Sequence, residues 1–436
     1  MTVSKQPLEG SVASLNPLPL KVSKPVVKLS GEFKGKHESF YMDDAMLSKH
    51  TLLLGGTGCG KTTLFYHFVE QIQQKMTDQD VMVIFDSKGD FYSKFYRPGQ
   101  YVIGNSRQYR DKSLKWNLFK EIVADGWDER DIMMNCSEIC RSLFAEKIEK
   151  SKDVFFPNAA RELLNAIIMC MLREAKKDRN LLQDLYNSSF RSLVDSSDAT
   201  MLKGILNTYP DMSSVATYID GNSAQAQGVM SEMFSVLRDV LIGVFADKGG
   251  FSMRNFVRSK GKKILYIEYD LSIGSVLTPV YRILFDMALK EALGRQTNQG
   301  NVYLFCDEFK LLPNLQHIDD GVNFGRSLGV KIFAGLQSIE QLYEIYEESR
   351  GKNIAAGFSN IFAFKVNDVT SRDYITNLFG KNILLERYVS SGAQYIEEKR
   401  QGQVVEDWDM ARLRVGEAIV CLSFSLPFIF RFDMYT

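Results

Sequence analysis

Short apolar runs and helical stripes alternate along most of this chain. Thr51 to Leu54, Val81 to Phe85, Tyr101 to Gly104, Lys263 to Tyr269, Asn301 to Cys306 and Val330 to Ala334 are nearly continuous apolar segments that end at glycine or polar residues. Such runs, rich in β-branched and aromatic side chains, predict strands of a parallel sheet buried on both faces. Between them the spacing changes. Leu64 to Gln74, Leu277 to Gly294, the stretch after Gln337 through Tyr346, and Ser371 to Leu378 read as helices. Val27 to Met42 alternates and predicts short strands, Ile361 to Val366 is a further strand candidate, and the tail beyond Leu378 alternates as a hairpin closing with Ala418 to Leu422.

From Asp128 to Leu241 the spacing is helical throughout. Ala159, Ala160, Leu163, Leu164, Ile167, Ile168, Met171 and Leu172 recur at steps of three and four, which marks one buried helical face. Several helices without strands predict an all-α subdomain inserted into an α/β fold with a mostly parallel central sheet. Residues 1–30 hold Pro7, Pro17, Pro19 and Pro25, four of the ten prolines, and predict an extended or poorly ordered arm.

Composition narrows this picture in three ways. With 436 residues, 45% hydrophobic and 24% charged, the chain is ordinary globular material. Lys plus Arg (53) equals Asp plus Glu (53), so no overall positive field draws the protein to nucleic acid, and any DNA contact falls to local basic loops. The six cysteines are scattered, with only Cys136 and Cys140 close, which favours core packing in a reducing cytosol over a zinc site. No window reaches the length of a membrane span, and Ala418 to Phe430 is short and broken by Pro427, so the expectation is a soluble, cytoplasmic chain.

The chemistry is carried by Gly55-Gly56-Thr57-Gly58-Cys59-Gly60-Lys61-Thr62-Thr63, placed between a strand and a helix. Glycines let successive N–H groups turn toward phosphate oxygens, Lys61 brings charge to the β- and γ-phosphates, and Thr62 offers a hydroxyl to Mg²⁺. The cofactors expected are therefore ATP and Mg²⁺. Cys59 either fills a small variable position or, at a helix N-terminus, is a thiol of lowered pKa. Nucleotide hydrolysis also needs a metal carboxylate and one that orients water. The strand ending at Cys306 supplies both, with Asp307 as metal ligand and Glu308 as catalytic carboxylate. The alternative is that the pair simply opens a solvated loop. Asp86, which also ends a buried strand, ranks second for the metal. Gln337 is read as a γ-phosphate sensor or as a helix cap. Arg326, in a glycine-flanked polar loop, is read as an arginine finger for a neighbouring subunit or as a plain surface residue.

Taken together these motifs resemble the conjugative coupling proteins of type IV secretion, the TraG/TraD type within the HerA/FtsK group of P-loop ATPases. The resembling pieces are His50 ahead of GGTGCGKTT, Asp86-Ser87-Lys88-Gly89-Asp90, Trp116-Asn117-Leu118, Phe155-Phe156 with Ala159-Ala160-Arg161, and Cys306-Asp307-Glu308-Phe309 with Leu311-Leu312-Pro313. They continue in Gly329-Val330-Lys331, Leu336-Gln337-Ser338, Gln341-Leu342, Asn360, Gly380 and Leu413 to Ala418. The resemblance implies a RecA-like nucleotide-binding domain over 31–127 and 251–436 with an all-α insertion at 128–250, assembled as a hexamer with ATP at subunit boundaries. By it, Lys61 binds phosphate, Asp307 and Glu308 are the Walker B pair, Arg326 is the trans finger and Gln337 the sensor.

It further implies an ATPase that moves DNA, with a relaxase or other nucleoprotein substrate and a secretion channel as partners. Coupling proteins of this type usually carry N-terminal transmembrane helices. None is legible here, so a membrane-embedded partner or a cytosolic role is expected to replace that anchor. Leu118 stands where the family often has proline. Two other readings keep the fold: a cytosolic HerA-like ATPase of DNA repair or defence, and an ATP-gated adaptor that binds protein cargo through 128–241.

Overall fold

Strand Thr51–Leu54 is buried at every position. Its parallel neighbours, Asn360–Ala363 on one side and Val330–Leu336 on the other, are equally buried. The structure is a computed structural model that describes residues 2–221, 223–294, 299–389, 395–423 and 425–435. The chain divides into two units, one of Met1–Met82, Arg295–Leu311 and Ile318–Thr436, the other of Val83–Gly294 and Leu312–His317.

In the first unit the sheet runs in the order Lys36–Asp43, Pro25–Phe33, Phe428–Phe432, Glu417–Cys421, Asn360–Ala363, Thr51–Leu54, Val330–Leu336, Val302–Cys306. The last four strands pair in parallel and the first four, with the pair joining Glu417–Cys421 to Asn360–Ala363, run antiparallel. Helix Lys61–Lys75 covers the parallel half. It buries Leu64, Phe65, Phe68, Val69 and Ile72, and Phe68 meets Phe333 at 5.3 Å and Phe362 at 5.7 Å between ring centroids. Each such burial contributes about 1.5–3 kcal/mol. The helix start, which carries the glycine-rich loop, is thereby fixed against the ends of the strands.

Residues Thr2–Glu9, expected as part of an extended arm, form a strand that pairs with Lys381–Val389, which in turn pairs with Tyr395–Gln403. Pro25–Phe33 is likewise a strand. The last strand, Phe428–Phe432, was not expected, because Pro427 interrupts the apolar run, yet FIFRF alternates between buried and half-buried positions with the period of a strand and pairs on both sides.

The second unit holds the helical span together with three strands. Tyr101–Ile103 and Lys263–Glu268 pair in parallel, and Val81–Asp86 neighbours Lys263–Glu268 in the strand order. Helices Glu129–Lys150, Phe155–Lys177, Ala224–Val240 and Gly274–Leu293 form its core. The predicted face of Phe155–Lys177 is buried apart from Met171, which is half-buried, and Ala166, Met169 and Cys170 are buried as well. Glu121, fully buried, accepts hydrogen bonds from the Trp116 indole, the Ser252 hydroxyl and the Met253 and Arg254 amides at 2.7–3.1 Å, tying the Trp116-Asn117-Leu118 turn to the helix Met253–Ser259.

Candidate active site

The loop Gly55 to Gly60 leaves the strand Thr51–Leu54 and enters helix Lys61–Lys75 at Gly60, whose φ of 115° excludes a side chain without strain. A Cβ there would also lie 3.1 Å from Gly416 Cα. Gly58 has φ 73°. The result is a cradle of backbone at a helix N-terminus, a shape and polarity that fit phosphate. The Lys61 ammonium lies against the carbonyl oxygens of Gly55 and Gly56, the latter at 3.0 Å, over the mouth of that cradle.

Facing it, the Gln337 amide nitrogen donates to Glu308 Oε2 at 2.8 Å, and the Thr57 hydroxyl donates to Gln337 Oε1 at 3.4 Å. A single side chain therefore links the phosphate loop to the acid that follows strand Val302–Cys306. Strand Val330–Leu336 runs two residues beyond the predicted end at Ala334, which delivers Gln337 to this position. Gly335 makes the strands' close approach possible, since a Cβ there would meet the Asp307 carbonyl at 2.3 Å. Asp307 is 9% exposed. Glu308 Oε1 is buried and, among the described residues, accepts no hydrogen bond, with the Lys310 ammonium 4.0 Å away. An unpartnered carboxylate oxygen beside a phosphate cradle is suited to hold a water molecule. The residues present thus fit a nucleotide with its divalent cation.

Arg326 does not join this group. It is exposed in the turn Gly325–Leu328, ahead of strand Val330–Leu336, whereas Gln337 follows the same strand. Seven strand residues separate the two ends by about 3.3 Å each, or roughly 20 Å. Lys49, whose pKa is lowered by burial and by Arg326, lies before the strand Thr51–Leu54 and so marks the same distant end.

Three side chains singled out by sequence have structural work. The Asp86 carboxylate accepts from the Tyr92 amide at 2.9 Å at the start of helix Asp90–Phe95, and burial raises its pKa. His50 accepts from the Ile332 amide at 3.1 Å through Nδ1, and burial, with Lys331 nearby, holds it neutral with a pKa of about 3. Cys59 is buried, and desolvation pushes its thiol up despite Lys61, so it packs and does not react.

Sequence reasoning assigned no role to the loop Leu413 to Gly416. Gly416 N donates to Cys59 O at 2.9 Å. Leu413, Arg414 and Val415 then line, with Lys365, Asn367 and Gly56 to Cys59, a cavity of about 580 Å³ beside the cradle. Its signal in the sequence was Gly416, which adopts φ 78° to make that turn.

The family model for the type IV secretion-system coupling protein DNA-binding domain matches residues 40–423. Coupling protein TraD of Escherichia coli (strain K12) is 23% identical over 314 residues, which cover 69% of this chain and 40% of TraD. The solved bacterial conjugative coupling protein TrwBdeltaN70, in its unbound monoclinic form, is 20% identical with a TM-score of 0.73, covering 100% of this chain and 94% of that one. Plasmid coupling protein TrwB in complex with ADP and Mg²⁺ is 19% identical with a TM-score of 0.70 over 100% and 94% of the two chains. The fold is accordingly the RecA-like P-loop fold of TrwB. With most of its length matched by the family model, this chain belongs to the type IV secretion-system coupling protein DNA-binding domain family.

Proposed function

We propose that the protein binds ATP with Mg²⁺ on the Gly55 to Thr63 loop, hydrolyses it, and as a ring of identical subunits moves DNA or a nucleoprotein toward a type IV secretion channel. The observation that carries this reading is the link from Thr57 through Gln337 to Glu308 across the phosphate cradle. Membership of a DNA-binding coupling family supports the substrate, and the TrwB complex with ADP and Mg²⁺ supports the cofactors. In this reading Lys61 and the loop amides hold the β- and γ-phosphates, while the Thr62 hydroxyl and Asp307 hold the cation, which neutralises charge on the phosphates. Glu308 orients the attacking water through Oε1, its Oε2 being fixed by Gln337. Loss of the γ-phosphate is felt by Gln337, which touches both the loop and the acid.

Arg326, at the opposite end of its strand, acts on a neighbouring subunit's nucleotide. This requires a second subunit, and a ring of six copies is the assembly the resemblance supports. We assign recruitment to the inner face of the membrane to a secretion partner, and the cargo to a relaxase or similar nucleoprotein; among the described residues no helix is long and apolar enough to cross a membrane. Steady-state ATP hydrolysis with and without single- and double-stranded DNA, over a protein concentration series, tests the proposal. Stimulation by DNA with a cooperative dependence on protein concentration is expected, and hydrolysis indifferent to both contradicts it.

A further inference from the structure

Between Lys88 and Lys115 the sequence holds seven Lys and Arg against two Asp, whereas the whole chain balances 53 against 53. This segment, all within the second unit, folds as helix Asp90–Phe95, a turn, strand Tyr101–Ile103 and a polar loop. Lys88, Lys94, Arg97, Arg107, Arg110 and Lys112 are exposed.

Some basic side chains elsewhere are matched by acids, as Arg173 is by Glu129 and Asp211, and Arg258 by Asp125 and Glu291. Among the described residues, Lys88, Arg97, Arg107, Arg110 and Lys112 form no ion pair, and Lys115 pairs with Asp247 at the segment's end. Neutral groups hold three of them instead. The Arg97 guanidinium donates to the Lys94 and Tyr96 carbonyls at 3.2 and 3.0 Å, and that of Arg110 to the Asn105 carbonyl at 3.2 and 3.3 Å. The Lys112 ammonium sits 4.6 Å from the Tyr92 ring centroid and 5.6 Å from those of Tyr96 and Tyr109. Tyr92 stacks on Tyr96 at 4.5 Å and meets Tyr109 edge-on at 4.8 Å, which makes the platform rigid. Carbonyls and ring faces orient a cation without neutralising it. The nearby acids Asp86 and Glu268 are buried, and burial raises both carboxyl pKa values, so they offset little of this charge.

We propose that this surface is a contact site for the phosphodiester backbone of DNA, engaged through charge and not base identity. A protein partner fits less well. Among the described residues, no Leu, Ile, Val, Met, Phe or Trp between 88 and 115 is exposed to serve as an apolar anchor. The proposal rests on the reading of the protein as a DNA motor and adds where on the chain the strand is gripped.

The test is fluorescence anisotropy of labelled single- and double-stranded oligonucleotides titrated with the full chain across a salt series. The variant carries Lys88→Gln, Arg97→Gln and Arg107→Gln; the control carries Lys36→Gln, Lys262→Gln and Lys381→Gln, three exposed lysines elsewhere. Loss of three phosphate contacts lowers the magnitude of the log–log salt slope by about 2–3 on duplex DNA and weakens binding alike for every sequence. Melting temperature and DNA-independent ATP hydrolysis stay at the parent's values, and Arg107→Glu alone, a single exposed change, weakens binding in the same direction. If the parent binds DNA and variant and control do not differ, the surface assignment falls while the motor reading stands. If the parent binds neither oligonucleotide, both fall.

Discussion

At the scale of single residues, the site is an argument about two oxygens of one carboxylate. Glu308 Oε2 is held by Gln337, and Oε1 is buried with no hydrogen-bond donor on it. Glu308→Gln retains the shape and loses the base, so nucleotide binding persists while turnover falls by about 10²–10⁴-fold, as equilibrium binding and single-turnover assays will read. Gln337→Ala leaves Glu308 without its tether and lowers kcat by about 10²-fold with little change in nucleotide affinity. Lys61→Ala removes the charge over the cradle and abolishes nucleotide binding. Lys61, Asp307, Glu308 and Gln337 were singled out in the sequence because each stands at a strand end or loop where phosphate chemistry would use its type, and the structure links Gln337 to both Thr57 and Glu308. The link between Gln337 and Glu308 was not legible there, since strand register decides which strand ends meet. His50 and Asn360 show the converse. Both stood out in sequence, yet Asn360 donates to the Met46 and His50 carbonyls at 2.7 and 2.9 Å, and the pair simply closes the turn before the phosphate strand.

At the scale of elements, buried runs and helical stripes read well, and outer strands read badly. Val81–Asp86, Lys263–Glu268 and Val302–Cys306 appear within a residue or two of their expected bounds because burial on both faces leaves an uninterrupted apolar run. Thr2–Glu9 escaped because an outer strand tolerates a proline within it, and Phe428–Phe432, which has a partner strand on each side, escaped because Pro427 stands just before it and its buried and half-buried positions alternate. The segment Leu312–His317, which follows Asp307 and Glu308 in the chain, belongs to the second unit and is held there by titratable groups. Asp286 accepts from the Gln316 and His317 amides at 2.8 and 3.1 Å, and His317 Nε2 lies 2.6 Å from Glu138 Oε1. Burial alone lowers the His317 pKa, but Glu138 and Asp286 outweigh it and the net shift is upward. A raised histidine contributes stability that is fully present below its unfolded value near 6.5 and is lost as pH rises through the folded value above it. Thermal melts should therefore separate the parent from His317→Gln most at pH 5.5–6, by about 1 kcal/mol, and hardly at all at pH 9; a gap independent of pH contradicts the ion pair.

At the scale of the whole molecule, Arg326 stands too far from its own subunit's phosphate loop to reach it. Arg326 and Gln337 stand at opposite ends of strand Val330–Leu336, and the phosphate loop is at the Gln337 end. If Arg326 completes catalysis, it completes a neighbour's site, and the active form has at least two subunits. The helical span shares its unit with three strands, so its cargo or DNA contacts are best sought in that unit as a whole, the basic surface from Lys88 to Lys112 included. The most direct measurement mixes two inactive proteins, Arg326→Ala with an intact phosphate loop and Lys61→Ala with an intact finger, and follows ATP hydrolysis as their ratio varies. The account predicts turnover in the mixture well above the sum of the separate proteins, peaking at intermediate ratios. Activity no greater than that sum, in rings shown by light scattering to be mixed and intact, would contradict a site shared between subunits.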